Sequence, residues 1–158
     1  MAPYITPEGE SRMRQELDYL WREERPLVTR QVSESAAMGD RSENAEYIYG
    51  KKRLREIDSR VRHLRKRLEI LKVVRERPSD TSKVYFGAWV ALEDNTGQKH
   101  CYRIVGPDEL DPARHHISID SILARALLGK ATDAEVQVQT PGGMQEYVIA
   151  AVSYDGPC

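Results

Sequence analysis

The sequence predicts a two-domain α+β protein, in which an antiparallel α-helical coiled-coil hairpin is followed by a small antiparallel sheet with one helix. Three observations support this fold class. Residues 8–77 have a helix-favouring composition with apolar residues at heptad spacing, whereas strand-forming residues dominate from residue 83 onward. The charge balance along the 158 residues also changes, from +3 over residues 1–80 to −4 over residues 81–158. Such a shift indicates two units with different roles.

The heptad seam predicts where the hairpin folds back. Residues at alternating spacings of three and four face each other if the chain reverses between Asp40 and Arg41. The facing pairs are Met13 with Leu68, Leu17 with Leu64, Leu20 with Val61, Glu24 with Ile57, Leu27 with Leu54, and Gln31 with Gly50. A slip of one heptad would move the reversal to residue 37 or 44, but Gly39, the only glycine nearby, favours Asp40. Pro26 either bends the first arm or begins a second helical segment.

About five short strands and one helix are predicted in the second domain. The segments rich in β-branched and aromatic residues are predicted as strands, at 83–92, 100–106, 115–120, 134–141 and 145–154. Residues 93–99, "EDNTGQK", predict a hairpin loop. Residues 121–130, "SILARALLGK", predict a helix with Ser121 as N-cap and Gly129 just beyond its end.

Several classes of protein are disfavoured by composition. Cys101 and Cys158 are too few for a disulfide framework and lack metal-ligand spacing, so we expect free thiols in a reducing compartment. No apolar run approaches the ~18 residues of a membrane span, and "MAPYITPEGE" is unlike a signal peptide, so we expect a cytoplasmic protein. The four histidines show no ligand spacing, and no phosphate loop, nucleophile elbow or zinc pattern occurs.

The predicted tip, "AAMGDRSENAEY" at 36–47, carries two acids that no core requires. One interpretation makes Asp40 the N-cap of the second helix and Glu43 its capping-box partner, although Ser42 would serve as a cap equally well. The other makes the two carboxylates hard oxygen ligands for a Mg²⁺ ion that a second molecule partly holds. Alone they would bind Mg²⁺ weakly, so the second interpretation requires a partner with a half-built site.

The second arm is strongly basic. Residues 51–77 hold 12 Lys and Arg against four acids, whereas residues 8–34 hold five basic and seven acidic residues. A solvated helix face is the simpler interpretation, but an excess of this size favours contact with a polyanion. Aromatic residues that could stack on bases are few, so phosphate contact without sequence reading is expected. The residues assigned to this polyanion contact are Lys51, Lys52, Arg53 and Arg60.

These segments together resemble a known family. "GDRSENAEY" (39–47) followed by "GKKRLREIDSRVRHL" (50–64) is similar to the bacterial Gre transcript-cleavage factors, and more specifically to the GreB type. Four further segments resemble the same family, namely "ELDYLWREERP" (16–26), "FGAWVALED" (86–94), "YRIVGPDE" (102–109) and "ISIDSILARALLGK" (117–130). The resemblance covers nearly the whole chain, and the tip motif is its most specific part.

The resemblance implies a fold and a function. The second domain is expected to be FKBP-like, and the coiled coil is expected to enter the secondary channel of bacterial RNA polymerase. There Asp40 and Glu43 match the family's two functional acids, which help the polymerase's own active site cut backtracked RNA with a shared Mg²⁺. No cofactor is expected to bind stably to the protein alone. The expected partners are the polymerase and the 3′ end of the nascent RNA, with no membrane, and the protein is expected to be a monomer.

Further residues receive roles from the same resemblance. The residues expected to support the tip are Arg41, Ser42, Asn44 and Tyr47. The residues expected to dock on the polymerase are Asp120, Ser121, Ile122, Ala124 and Arg125. Two positions depart from the family pattern: Ile122 stands where proline is expected, and Gly50 would soften the tip end of the second arm.

The predicted domain bounds are 1–77 for the hairpin, with its acidic tip near 38–44, 78–82 for a linker, and 83–158 for the FKBP-like domain. Three other functions stay open at this point. The protein could occlude the secondary channel as an inhibitor, although a plug would need neither acid. It could be a prolyl isomerase, although no aromatic-lined pocket can be assembled from the sequence. A chaperone-like arm would leave the acidic tip unexplained.

Overall fold

The computed structural model describes residues 2–39 and 43–158. Its contacts divide the chain into two compact units, one formed by Glu10–Leu71 and the other by Met1–Gly9 with Lys72–Cys158. The first is a helical hairpin and the second is a sheet with one helix, so the predicted two-domain α+β class is confirmed. The first residues thus group with the second unit, and the predicted domain bounds stay a prediction.

The hairpin consists of α1 (Pro7–Tyr19), a π-helical turn (Leu20–Glu24), α2 (Arg25–Ala37) and α3 (Ala45–Ile70). Cross-arm contacts fix its direction. Arg60 pairs with Glu16, Arg53 pairs with Glu24, and the Asn44 side chain bonds to the Ser35 carbonyl oxygen. Residues later in the first arm contact residues earlier in α3, so the two arms run antiparallel, as predicted.

Pro26 explains the π-helical turn. Proline has no backbone N–H and its ring clashes with the carbonyl group four residues earlier, so an α-helix cannot pass through it undisturbed. The backbone N–H of Arg25 instead donates to the carbonyl oxygen of Leu20, five residues earlier. This wider turn ends at Glu24, two residues before Pro26, which occupies the first turn of α2. Of the two predicted roles of Pro26, the structure shows the start of a second helical segment.

The π-helical turn shifts the seam by one residue. Up to the turn the predicted seam is buried, with Met13 and Leu20 on the first arm and Ile57, Val61 and Leu64 on α3. Beyond it the prediction is wrong: Leu27 is 48% exposed and Gln31 is exposed, and the buried positions are Val28 and Ser35. A π-helical turn holds one more residue than the heptad count assumes, so the apolar stripe moves from Leu27 to Val28.

Gly50 on α3 faces Val32 of the first arm. The residue is buried, and a Cβ atom built on it would lie 2.5 Å from Cγ2 of Val32. A side chain at this position would therefore push α2 away from α3. Gly50 was expected to soften the second arm, but in the structure its missing side chain makes room for Val32.

The second unit contains a five-stranded sheet in the order β5-β4-β3-β7-β6. The strands are β3 (Trp89–Asp94), β4 (Lys99–Val105), β5 (His116–Ser118), β6 (Glu135–Thr140) and β7 (Gly143–Ser153). Helix α4 (Ile122–Leu127) packs on β6 and closes the core. The core residues are Val84, Ala88, Val90, Leu92, Ile104, Ala124, Leu127, Val136 and Ile149. Five strands and one helix are therefore confirmed, while the FKBP-like comparison stays a prediction.

Two details of this sheet differ from the prediction. The sheet is mixed, because β5 pairs parallel with β4 after two short 3₁₀ turns, Pro107–Glu109 and Pro112–Arg114, carry the chain back. The first strand begins at Trp89 and not at residue 83, because a turn at Tyr85–Ala88 precedes it. Gly87 has a φ of 87°, which interrupts an extended run. Local β propensity reveals neither the turn nor the pairing direction.

Residues 2–9 are attached to the second unit by a strand pair and a buried carboxylate. Strand β1 (Tyr4–Ile5) pairs parallel with β2 (Lys72–Val73). Glu109 is buried, and its Oε2 accepts hydrogen bonds from the backbone N–H of Thr6 at 2.7 Å and of Gly106 at 3.1 Å. Its Oε1 accepts a hydrogen bond from the Thr6 hydroxyl. One side chain therefore satisfies three donors from two segments far apart in the sequence.

The ionisation of Glu109 predicts a pH effect on stability. Burial raises the pKa of Glu109 above its usual value, against the lowering by the hydrogen bonds from Thr6 and Gly106 and by the charge of Arg103. The folded protein thus keeps this proton to a higher pH than the unfolded chain. The stabilisation is present below the pKa of the unfolded carboxyl and is lost as pH rises through the folded pKa.

We expect Glu109→Gln to remove this component. As pH rises from the ordinary carboxyl pKa of 4.5, the free energy of unfolding of the original protein should therefore fall relative to that of the variant. Urea unfolding at a series of pH values measures the difference. Carboxylates with lowered pKa values, such as Asp58, cancel because both proteins contain them. A difference that is constant with pH would contradict the prediction.

The structure corrects the expectation of free thiols. Cys101 on β4 and Cys158 form a disulfide that joins residues 57 positions apart. Spacing alone could not reveal this pair, because it depends on the sheet order, in which β7 lies next to β3 and β3 lies next to β4. Among the described residues, no helix combines the length and apolarity needed to cross a bilayer.

Candidate functional site

The predicted tip is described only in part. Asp40, Arg41 and Ser42 lie outside the described residues, so their predicted roles stay predictions. Glu43 is described, and its side chain is exposed to solvent. Within residues 2–39 and 43–158, its carboxylate forms no hydrogen bond or ion pair. An exposed carboxylate with no structural partner is free to bind a ligand that another molecule supplies.

The capping role predicted for the tip acids belongs to Asn44. Helix α3 begins at Ala45, and the Asn44 side-chain oxygen accepts a hydrogen bond from the Tyr47 backbone N–H at 3.2 Å. The capping-box prediction for Asp40 with Glu43 is therefore wrong. The box pattern misled because it requires an acid three residues after the cap, whereas Asn44 caps this helix with tyrosine at that position.

Asn44 also joins the two arms at the base of the tip. Its side-chain nitrogen donates to the carbonyl oxygen of Ser35 at 3.0 Å, near the end of α2. The same carbonyl oxygen accepts from the backbone N–H of Met38 at 3.2 Å. A single amide thus satisfies a group at the C-terminus of α2 and one at the N-terminus of α3. Asn44 therefore links the two arms at this point, and the tip-supporting role that the resemblance implies for it stays a prediction.

Two of the four residues assigned to RNA binding are occupied in cross-arm ion pairs. The Arg53 guanidinium donates to both carboxylate oxygens of Glu24, at 2.6 and 3.0 Å. Arg60 donates to both oxygens of Glu16, also at 2.6 and 3.0 Å. The Glu24 carboxylate raises the pKa of Arg53, and Arg60 lowers the pKa of Glu16. These arginines hold the arms together, which a count of charges along one helix cannot show.

A different basic surface is open to solvent. Lys51, Lys52 and Arg55 are exposed, and no ion pair is recorded for them within the described parts of the chain. Lys52 and Arg55 line a shallow groove along α3 together with Ser59 and His63. These four positions are spaced three or four residues apart, so they lie on one face of the helix. This face, defined by Lys52, Arg55, Ser59 and His63, is called the α3 groove below.

The residues expected to dock on the polymerase surround the start of α4. Ser121 caps this helix by accepting a hydrogen bond from the Ala124 backbone N–H at 3.2 Å, as predicted. Ala124 itself is fully buried in the core, so it supports the helix and offers no surface for docking. Ile122 is 62% exposed, and Asp120 and Arg125 are exposed beside it. An apolar side chain flanked by opposite charges therefore forms the surface at this position.

No metal centre is formed by the described part of the chain alone: its His, Cys, Asp and Glu side chains do not gather in groups of three or more suited to an ion. Glu43 is an oxygen ligand of the type that Mg²⁺ prefers, but a single carboxylate leaves most of the coordination shell to others. The chemistry of this donor fits a Mg²⁺ ion that a partner also holds.

Comparisons with known proteins agree along the whole chain. A family model described as "Transcription elongation factor, N-terminal" matches residues 3–73, and one described as "Transcription elongation factor, GreA/GreB, C-term" matches residues 79–154. Transcription elongation factor GreB of Pseudomonas aeruginosa is 66% identical over 97% of this chain and 91% of that protein. GreB of Yersinia pestis is 62% identical over 96% and 88%. The solved structure of GreA factor homolog 1 of Thermus thermophilus aligns with 24% identity and a TM-score of 0.44, over 97% of this chain and 99% of that one.

Proposed function

Because this chain belongs to the GreA/GreB family of transcription elongation factors, we propose that it binds RNA polymerase and stimulates cleavage of backtracked RNA by the polymerase. A polymerase that has slid backward extrudes the RNA 3′ end and cannot extend it. Hydrolysis of an internal phosphodiester bond creates a new 3′ end at the active site. The protein supplies part of the catalytic constellation and has no nuclease activity alone.

The observation that carries this proposal is the exposed carboxylate of Glu43. Asn44 performs the capping, so the fold of the described hairpin gives Glu43 no structural task. Glu43 directly precedes Asn44 and the start of α3, where the hairpin would deliver it into a narrow opening such as the secondary channel. An inhibitor that only occludes the channel would gain nothing from an acid here.

The residues of the tip would act on a reaction centre that the polymerase largely builds. Asp40 and Glu43 would offer carboxylate oxygens to a Mg²⁺ ion shared with the polymerase, where two-metal chemistry stabilises the attacking and leaving oxygens. Glu43 would also accept a hydrogen bond from the attacking water and orient it toward the phosphorus. Asn44 would hold the base of the tip so that this carboxylate has a fixed position.

The second unit would hold the protein on the polymerase. The exposed side chains at the start of α4, Asp120, Ile122 and Arg125, are the proposed contacts. Isoleucine at position 122 offers a larger apolar surface than the proline expected there. The protein would act in the cytoplasm as a monomer, since one hairpin fills one channel.

The direct test is an RNA-cleavage assay on arrested elongation complexes, with and without the protein. We expect faster release of a 3′ RNA fragment and renewed extension of the shortened transcript. The protein incubated with free RNA and Mg²⁺ should cleave nothing. Slower extension without any cleavage would instead favour the inhibitor, and no effect on polymerase would reject the proposal.

RNA contact is proposed for the α3 groove with its neighbour Lys51, and it predicts a difference between two pairs of substitutions. Lys52→Gln with Arg55→Gln should weaken crosslinking to extruded RNA. The slope of log K for RNA binding against log salt concentration should become shallower by about 0.7 for each lost phosphate contact. The matched control, Arg22→Gln with Arg53→Gln, removes the same charge from two ion-paired arginines that do not line the groove. We expect the control to lower the thermal stability of the hairpin and to leave most of the crosslinking intact. Equal loss of crosslinking from both pairs would show a non-specific charge effect.

A further inference from the structure

An exposed tryptophan lies on the π-helical turn of the hairpin. Trp21 is 44% exposed, whereas its neighbour Leu20 is buried in the seam. The guanidinium carbon of Arg65 lies 4.6 Å from the centroid of the Trp21 ring, and that of Arg25 lies 5.3 Å from it. The indole therefore sits at the surface with two cationic groups, one from each arm of the hairpin.

The two arginines differ in their remaining bonding capacity. Arg25 donates to both carboxylate oxygens of Asp58, at 2.7 and 3.4 Å. Arg65 forms no ion pair or hydrogen bond among the residues that the structure describes. It makes a cation–π contact with the Trp21 ring. A guanidinium has five N–H donors in a planar fork that fits a phosphate group. Arg65 keeps all of them available while the indole restricts where it lies.

Burial does not explain this tryptophan. The seam of the hairpin is filled by Leu20, Val28, Ile57 and Val61, and the indole lies outside it. A tryptophan that is 44% exposed and an arginine with free donors beside its ring are groups by which proteins hold single-stranded nucleic acid. The base stacks on the ring while the phosphate pairs with the cation. A duplex would not fit, because its bases are already stacked.

We propose that Trp21 and Arg65 form a binding site for one nucleotide of single-stranded RNA, with the base on the indole and a phosphate on the guanidinium. This inference rests on the proposed function, which brings extruded RNA to the hairpin. It adds a site on the hairpin outside the α3 groove and assigns a stacking partner as well as a charge. Single-stranded RNA is favoured over a protein partner because α3 carries a large basic excess.

The position of the site limits which RNA can reach it. Trp21 precedes Gly39, the last described residue of the first arm, by 18 residues, or roughly 27 Å of helix. An RNA 3′ end extruded by only a few nucleotides would end near the tip. A long extruded segment could run along the hairpin as far as Trp21. The site should therefore matter for deeply backtracked complexes and not for those backtracked by a few nucleotides.

The first test measures RNA binding by the full chain without polymerase, using anisotropy of a labelled oligouridylate. Trp21→Leu should weaken binding by about tenfold, the expected loss for one stacked base. Arg65→Gln should weaken it by several-fold, and Trp21→Phe should retain most of the affinity. Arg22→Gln is the matched control, since it removes the same charge next to Trp21 in the sequence, from an arginine that is paired with Asp18. An equal effect of Arg22→Gln and Arg65→Gln, or unchanged binding by Trp21→Leu, would overturn the proposal.

A second readout reports the stacking itself. In a Trp89→Phe background Trp21 is the only tryptophan, and bound oligouridylate should quench its emission with a saturable curve. Helical circular dichroism checks that each variant is folded. Equal quenching by a duplex of the same length would reject a stacking site, because a duplex has no free base faces.

The third test separates this inference from the proposed function. Trp21→Leu should stimulate RNA cleavage at the normal rate in complexes backtracked by two nucleotides, and several-fold more slowly in deeply backtracked complexes. Failure of the original protein to stimulate cleavage would reject the proposed function, while oligouridylate binding would still decide the site. Weaker competition of Trp21→Leu for polymerase in the absence of extruded RNA would show a protein contact and overturn the assignment to RNA.

Discussion

Replacing Glu43 by glutamine is expected to slow stimulated RNA cleavage on the order of a hundredfold while leaving the hairpin folded. Removing one electrostatic contact to a transition state typically costs 10²–10³ in rate. The fold should tolerate the change because Asn44, and not Glu43, caps α3. Asp40→Asn is expected to behave alike, and raising the Mg²⁺ concentration should partly restore its activity, since the loss would lie in metal affinity. Cleavage rates on arrested complexes at several Mg²⁺ concentrations measure both effects.

Two matched variants distinguish catalysis from structure. Glu46→Gln removes the same charge three residues away, on the exposed first turn of α3, and should leave cleavage nearly normal. Asn44→Ala removes the cap and should cost about 1 kcal/mol of stability. Any activity loss in that variant should be accompanied by a lower melting temperature, unlike the loss in Glu43→Gln. Full activity of the Asp40→Asn, Glu43→Gln double variant would falsify the proposed role of the tip.

Reduction of the Cys101–Cys158 disulfide is expected to lower the stability of the second unit by up to about 4 kcal/mol. The bond closes a loop of 57 residues, and the chain-entropy model assigns a cross-link of that length about this value. Urea unfolding followed through Trp89, which lies on β3 in the same sheet, measures the change with and without a thiol reductant. A Trp21→Phe background removes the signal of the hairpin.

Cys158→Ser supplies the control for this prediction. The variant should have the stability of the reduced protein and should not respond to the reductant. Mass spectrometry under non-reducing conditions should show one mass two hydrogens lower for the original protein than for its reduced form. Equal stability of oxidised and reduced protein would mean that the cross-link contributes nothing to the fold.

The sequence predicted the elements of the hairpin better than their register. Heptad spacing identified Leu20, Val61 and Leu64 as buried, because up to residue 20 the first arm keeps the regular helical period. It failed at Leu27, because a period counted along the sequence assumes the same number of residues in every turn. Pro26 was recognised as a point of change. Whether a proline causes a bend or a wider turn in a helix depends on tertiary packing, which a local sequence pattern does not show.

The site was predicted in a similar way. The motif indicated the position of the tip, and the cap of α4 at Ser121 followed from local chemistry. The occupation of Arg53 and Arg60 was missed, because it depends on acids that face them from the other arm. Trp21 belongs to the few aromatic residues that the sequence offers for stacking on bases, but its contact with Arg65 was not predicted, since that arginine is 44 residues away in the sequence.

The π-helical turn also sets the rotational phase of everything that follows it on the first arm. One extra residue rotates the succeeding helix by about 100° around its axis. Val28 and Val32 face α3 only because of this rotation, and Ser35 reaches Asn44 for the same reason. Deleting one residue between Leu20 and Glu24 would leave the sequence of α2 unchanged but turn its apolar stripe toward solvent. The direction that each side chain faces at the end of α2 is thus set some fifteen residues earlier in the sequence, by a turn at the middle of the arm.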